Sequence, residues 1–184
     1  MVSHLKRPAF DKITPAHVTL RIANDIPSLR SSRKFAIIRR CFAKARQNQG
    51  LRLIEFSVLS NHLHLIVEAD DSRALSRGMQ GLCVRLAQAL NAALGRRGRV
   101  FADHFHSRLL RSPAVLVNAI RYVLENAARH YGRVVTADAF SSEAEENAGV
   151  LARPSGWLPR SGWLRAPSRL LERLRNSARY RDQR

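Results

Sequence analysis

The spacing of apolar positions changes character several times along this chain, and each change predicts an element. Residues 17–23 (HVTLRIA) alternate and carry β-branched side chains, which predicts a strand. Ser31 and Ser32 offer helix N-caps, and Phe35, Ile38, Phe42 and Ala45 then recur at helical spacing before Gly50. Residues 51–58 (LRLIEFSV) and 62–68 (HLHLIVE) predict two further strands, joined around Ser60-Asn61 by a turn short enough for a hairpin. Asp71 and Ser72 open a long helix with Leu75, Met79, Leu82, Leu86, Leu90 and Leu94 on one face. Gly78 and Gly81 inside that helix predict close backbone packing. A basic turn (GRRGR, 95–99) follows, then a fourth strand expected from about Val100 to Leu110. Ser112-Pro113 is a cap with a first-turn proline, starting a helix for which Gly132 is the stop.

The order strand, helix, strand, strand, helix, strand, helix predicts an α+β fold. It is the ferredoxin-like split βαβ arrangement, an antiparallel sheet with helices packed on it. Residues 1–136 make one domain on this reading. Residues 137–150 contain Asp138, Glu143, Glu145 and Glu146 without a basic residue and read as an acidic linker. Residues 151–184 hold nine arginines against two acids and read as a basic, Arg-rich C-terminal arm, flexible or loosely docked, with a short helix near 167–180.

Charge narrows the function. The formal net charge is +18, from 32 basic and 14 acidic residues, so a polyanion is the expected partner. Arginine outnumbers lysine 28 to 4, which suits bidentate phosphate contacts but also follows from codon bias in a GC-rich genome. No stretch approaches the roughly 20 apolar residues that span a bilayer, and residues 1–30 lack a signal-peptide core, so a cytoplasmic, membrane-free protein is expected. Cys41 and Cys83 are too few and too separated for a zinc cluster or a disulfide framework and read as plain buried thiols.

The candidate chemistry begins with His62-Leu63-His64. Alternation along a strand points both imidazoles to one side, where they can share a divalent metal if a third ligand arrives from elsewhere. His104-Phe105-His106 has the same spacing on the expected fourth strand, so spacing alone does not choose between them. On the last helix Leu116, Ile120, Val123 and Ala127 form the core stripe. Tyr122 lies at its flank, aligned with Asn118, Asn126 and Arg129. A phenol there can attack a phosphodiester, an asparagine one turn on can offer a carbonyl oxygen, and an arginine can reach a phosphate. A half-buried structural tyrosine beside an exposed asparagine satisfies the same pattern.

The segment Ser57-Val58-Leu59-Ser60-Asn61-His62-Leu63-His64-Leu65-Ile66-Val67 resembles the HUH signature of bacterial single-strand tyrosine transposases, the insertion-sequence type and their REP-associated relatives. Three further stretches resemble the same family in the same order: Ala74–Leu82, Gly98–Asp103 and Arg121–Asn126. The resemblance spans about residues 15–132. It implies Tyr122 as nucleophile, His62 and His64 as the metal pair, Asn126 as a third ligand, and Mg²⁺ or Mn²⁺ as the metal. His17 falls where relatives often carry a first-strand histidine, and His104-Phe105-His106 falls on a strand that does not hold the metal. Many REP-associated relatives read Asn-Pro-Val after the catalytic turn. This chain reads Asn126-Ala127-Ala128, so its helix is expected to continue.

The implied activity is cleavage and rejoining of single-stranded or hairpin DNA through a 5′-phosphotyrosine link, with no ATP. The arginines of the second helix, of the basic turn (Arg96, Arg97 and Arg99) and of the C-terminal arm, together with Arg129, are the expected DNA contacts. Insertion-sequence relatives resemble dimers with shared sites and REP-associated ones monomers, so both states stay open. Two other readings also fit the basicity: another HUH nuclease such as a replication initiator, and a domesticated hairpin-binding protein without catalysis. An RNA-binding sheet would display aromatics where this chain has the strand histidines and Glu68.

Overall fold

The computed structural model describes residues 9–45, 50–132 and 137–180. The segments 1–8, 133–136 and 181–184, which include the ends of the expected domain and arm, lie outside the described residues. The elements are β1 (Thr14–Arg21), α1 (Ser32–Ala45), β2 (Leu51–Val58), β3 (His62–Ala69), α2 (Ser72–Ala93), β4 (His106–Leu109), α3 (Pro113–Tyr131), α4 (Trp157–Arg160) and α5 (Ser168–Arg175), with short 3-10 turns near the C-terminus. The four strands form one antiparallel sheet in the order β2-β3-β1-β4, as the split βαβ reading expects.

Alternation along the strands decides which side each helix covers. Val18, Leu20, Phe56, Leu63, Leu65 and Val67 face α1 and α2 and build the main core with Phe42, Met79 and Leu86. Gly78 is required here, because a Cβ on it would lie 2.5 Å from Leu51 Cδ2. The opposite side carries His17 and Thr19 on β1, Glu55 and Ser57 on β2, His62, His64, Ile66 and Glu68 on β3, and His106 and Arg108 on β4. Across it lies α3, whose Leu116, Val117, Ile120 and Leu124 pack with Ile54 and Ile66 in a second core. Ser112 caps α3 by accepting from Val115 N–H, Pro113 occupies its first turn, and Gly132 follows its last with φ 87°.

Two expectations change. The fourth strand is only four residues long; before it, Arg99 donates to the Phe101 and Ala102 carbonyls while Ala102 N–H donates to Arg21 O. Phe101 keeps a lone bridge to Ile22, and His104 and Phe105 fall outside the strand. The stretch read as linker and loose arm is instead packed. Val58 N–H donates to Phe140 O and Ser142 N–H to Phe56 O, so residues 140–142 line the free edge of β2 and remove an exposed sheet edge. Beyond it Trp163, Leu171, Leu174 and Tyr180 are buried in the second core.

The arm is held by two carboxylates that the sheet buries completely. Glu68 accepts from Arg52 Nε at 2.5 Å, from Ser155 N–H at 2.8 Å and from Gly156 N–H at 2.9 Å. Glu55 accepts from Ser142 Oγ at 2.5 Å, Tyr180 Oη at 2.6 Å and Arg179 Nε at 2.7 Å. A buried carboxylate is tolerated only with such donors. The polar residues at strand positions 55 and 68 therefore dock the C-terminal segment, which composition alone labels as solvated. Among the described residues, no helix is long and apolar enough to cross a membrane.

Candidate active site

The strip of sheet that α3 leaves open lies over β1 and β4, and it forms a cavity of about 400 Å³. His17, Thr19, His64, Arg108, Asn118 and Tyr122 line it with a few apolar side chains. Larger clefts occur elsewhere, so volume does not single this one out; its chemistry does. The Tyr122 ring meets the edge of His64 at 5.5 Å and of His17 at 5.6 Å between centroids, and Tyr122 is 37% exposed. Arg129, about two helical turns further on, places its guanidinium 5.8 Å from the Tyr122 ring and pairs with Glu125 at 3.1 Å.

The two strand histidines are held by their Nδ1 atoms. His62 Nδ1–H donates to Asn61 Oδ1 at 2.8 Å. His64 Nδ1 lies 3.2 Å from His17 Nε2 and 3.3 Å from Thr19 Oγ1, both on β1. Outer partners of this kind fix the orientation of a ring. The two rings lie nearly parallel, 14° apart with centroids 6.2 Å apart. Burial pushes the His64 pKa down to about 4, helped by the neighbouring His17, His62 and His130. Burial also lowers His62, with Arg21 and His130 contributing, and lowers His17, with Arg108 contributing. All three are therefore neutral at neutral pH, the form in which imidazole binds a metal.

Asn126 sits one turn after Tyr122, and His130 one turn later again. Tyr122 touches His64 and His130 acts on both His62 and His64, so this line of α3 runs over the histidine pair. Asn126 is 1% exposed, yet neither its Oδ1 nor its Nδ2 has a hydrogen-bond partner. Ser57 Oγ, on the residue paired with His64 across the sheet, is orphaned too. An unpaired buried amide costs free energy, so its retention fits a group that a ligand completes. Among the described residues, no three His, Cys, Asp or Glu side chains are arranged to hold a metal. Two neutral imidazoles and an amide oxygen would offer nitrogen and oxygen ligands of the kind that suit Mn²⁺ or Mg²⁺. Asn126→Leu is expected to raise the stability of the metal-free protein by about 1–2 kcal/mol and to abolish any rise in Tm on adding Mn²⁺. Thermal melts with and without Mn²⁺ check both halves.

The remaining residues separate. Arg96 pairs with Asp25 at 2.6 Å, and Arg99 holds backbone carbonyls of its own turn. Arg97 is exposed without a partner among the described residues. None of the three lines the Tyr122 cavity; Arg99 lines a separate cleft with His104. His104 and His106 share no strand face, because the strand begins only at His106. Tyr131 donates from Oη to Ser60 Oγ at 2.9 Å and accepts from Ser60 N–H at 2.8 Å, so it fastens the turn before His62. Sequence reasoning missed Arg108 and His130. Arg108 stands opposite His17 in the β1–β4 register, lines the cavity and has no carboxylate partner among the described residues. One available signal was its even spacing from His106 on the same strand.

The chain thus has an antiparallel four-stranded α+β sheet, with two helices behind and a tyrosine-bearing helix across a histidine pair in front, as the ferredoxin-like reading expects. A solved structure of a REP-associated tyrosine transposase bound to a REP hairpin shares it, with TM-score 0.62, 16% identity, and coverage of 77% of this chain and 82% of that one. No protein-family model and no curated protein sequence matches this chain.

Proposed function

We propose that this protein is a divalent-metal-assisted DNA transposase that cleaves and rejoins single-stranded DNA beside a hairpin, with Tyr122 as nucleophile. The observation that carries the reading is the cavity where an exposed Tyr122 phenol adjoins His64 and the unpaired Arg108. All of these side chains belong to one chain. The hairpin-bound neighbour supports hairpin DNA as the substrate class.

Arg108 binds a non-bridging oxygen of the scissile phosphate and holds the strand over Tyr122, where a fixed cation offsets charge that grows during attack. His62, His64 and Asn126 would hold the metal, which when bound supplies Lewis-acid polarisation of the phosphate. Tyr122 Oη attacks phosphorus in line, the bond to the 3′ oxygen breaks, and that oxygen leaves as a 3′-OH after taking up a proton. The phenolic proton passes to solvent. The new phosphotyrosine ester keeps the bond energy, so another 3′-OH can reverse the step and join new ends. His17 and Thr19 orient His64 by holding its Nδ1.

The test incubates the protein with 5′- and 3′-labelled hairpins carrying single-stranded flanks, with Mn²⁺ or with EDTA. A denaturation-resistant adduct that needs the metal and carries only the label 3′ of the cut is expected. A protein that binds these hairpins and forms no adduct on any flank would establish a binding role in place of catalysis.

A further inference from the structure

The two helices on the other side of the sheet have a composition that the cleavage site does not use. The sequence of α1 is SRKFAIIRRCFAKA and that of α2 is SRALSRGMQGLCVRLAQALNAA. Five basic residues lie on α1 and three on α2, with no acidic residue on either. Elsewhere arginines find carboxylates, as Arg30 does with Asp138, Arg52 with Glu68 and Arg121 with Glu125. Among the described residues no basic side chain of α1 or α2 forms an ion pair. Arg33 and Arg39 reach only the carbonyls of Ala93 and Glu146, and Arg40, Lys44, Arg73 and Arg77 are exposed. Clefts of about 590 and 510 Å³ run along this layer. The second is rimmed by Arg40, Lys44 and Arg85 over Ile37 and Ala89, and Arg85 Nη1 is buried there without a partner. Glu145 and Glu146, on the 3-10 turn beside α1, bound the patch at the Arg39 edge.

We infer that the outer surface of α1 and α2 is a second DNA-binding face, built for the phosphates of double-stranded DNA. Uncompensated cations repel one another, so a surface that leaves this many unpaired is completed by a polyanion. The exposed side chains on the two helices are Arg, Lys, Ser, Ala, Gln and one Val, and both phenylalanines of α1 are buried. Single strands are gripped by stacking bases on aromatic side chains, and this face has none to offer. Rows of cations on helices about 8–10 Å apart can instead meet phosphates bordering a duplex groove roughly 6–12 Å wide. The face is separated from Tyr122 by the sheet, so a duplex stem behind and a single strand in front can be held together. This inference goes beyond the cleavage reading and does not require it.

The test uses the Tyr122→Phe protein, to exclude cleavage, and its Arg40→Gln/Lys44→Gln derivative. Fluorescence anisotropy measures binding to a blunt duplex and to an unstructured strand of equal length over a series of salt concentrations. Losing two phosphate contacts is expected to reduce the duplex salt slope by about 1.8 and to weaken duplex binding about tenfold at low salt. Single-strand binding should be unchanged. Arg73→Gln/Arg77→Gln should act in the same direction, and the charge-preserving Arg40→Lys/Lys44→Arg should retain the parent slope. Both Gln pairs are solvent-exposed and keep helix propensity, so melting curves should not move. No duplex binding by the parent, an unchanged duplex slope, or an equal loss on the single strand overturns the inference. Adduct formation by the Tyr122 protein is read separately, so failure of catalysis and failure of this face are distinguishable.

Discussion

A Tyr122→Phe protein is expected to fold, to bind its DNA and to form no covalent adduct with it. The change removes one oxygen and leaves the ring, so the edge contacts with His64 and His17 and the Arg129 stacking persist. Tyr122 is 37% exposed and its hydroxyl has no hydrogen-bond partner among the described residues, so melting should shift little. Chemistry should fall by roughly 10⁴-fold or more, since covalent catalysis has no route without its nucleophile. The nearest alternative hydroxyl on α3, that of Tyr131, is bonded to Ser60 on both its donor and acceptor sides. Quantifying adducts on denaturing gels gives the answer, and a Tyr122→Phe adduct as abundant as the parent's would remove Tyr122 from the mechanism.

The second large effect belongs to the histidines. His64→Ala should reduce metal-dependent adduct formation by roughly 10²–10³-fold, as loss of charge stabilisation at a reacting phosphate does. Mn²⁺ binding followed by electron paramagnetic resonance should weaken in parallel. His17→Ala removes one of the two partners of His64 Nδ1, so a smaller loss of about 10–100-fold in metal affinity is expected. His104→Ala and His106→Ala are the controls. They have the same sequence spacing without a shared strand face, and both should bind Mn²⁺ as the parent does. Equal losses from His64→Ala and His106→Ala would mean that the metal, if any, lies elsewhere.

Much of this was legible because local patterns and the fold agree. Alternation in HLHLIVE places His62, His64, Ile66 and Glu68 on one side of β3, and the structure keeps that register along its full length. The Ser112-Pro113 cap and the Gly132 stop bound α3 within a residue. The absence of proline after Asn126 lets the helix run to Tyr131, as expected. Less was legible where side chains overrode local signals. Asp138, read as solvated linker charge, is buried against Arg30, whose guanidinium also donates to Val58 O. The arginines of the basic turn, read as DNA contacts, are partly occupied in holding that turn. Glu55 and Glu68 look like ordinary strand carboxylates until the C-terminal segment is folded onto them.

The sequence by itself determined the order of elements, the face on which the histidines lie and the helical line shared by Tyr122 and Asn126. These follow from periods of two and 3.6 residues, which local chain geometry imposes without long-range information. The resemblance already preferred His62-Leu63-His64 over His104-Phe105-His106, and the tertiary structure set His64 against the Tyr122 ring. It also brought Arg108 and His17 to the same cavity, left Asn126 buried without a partner, and folded the C-terminal segment onto the sheet. Each of those depends on strand order and on contacts between residues far apart in the chain, which no spacing in the sequence encodes.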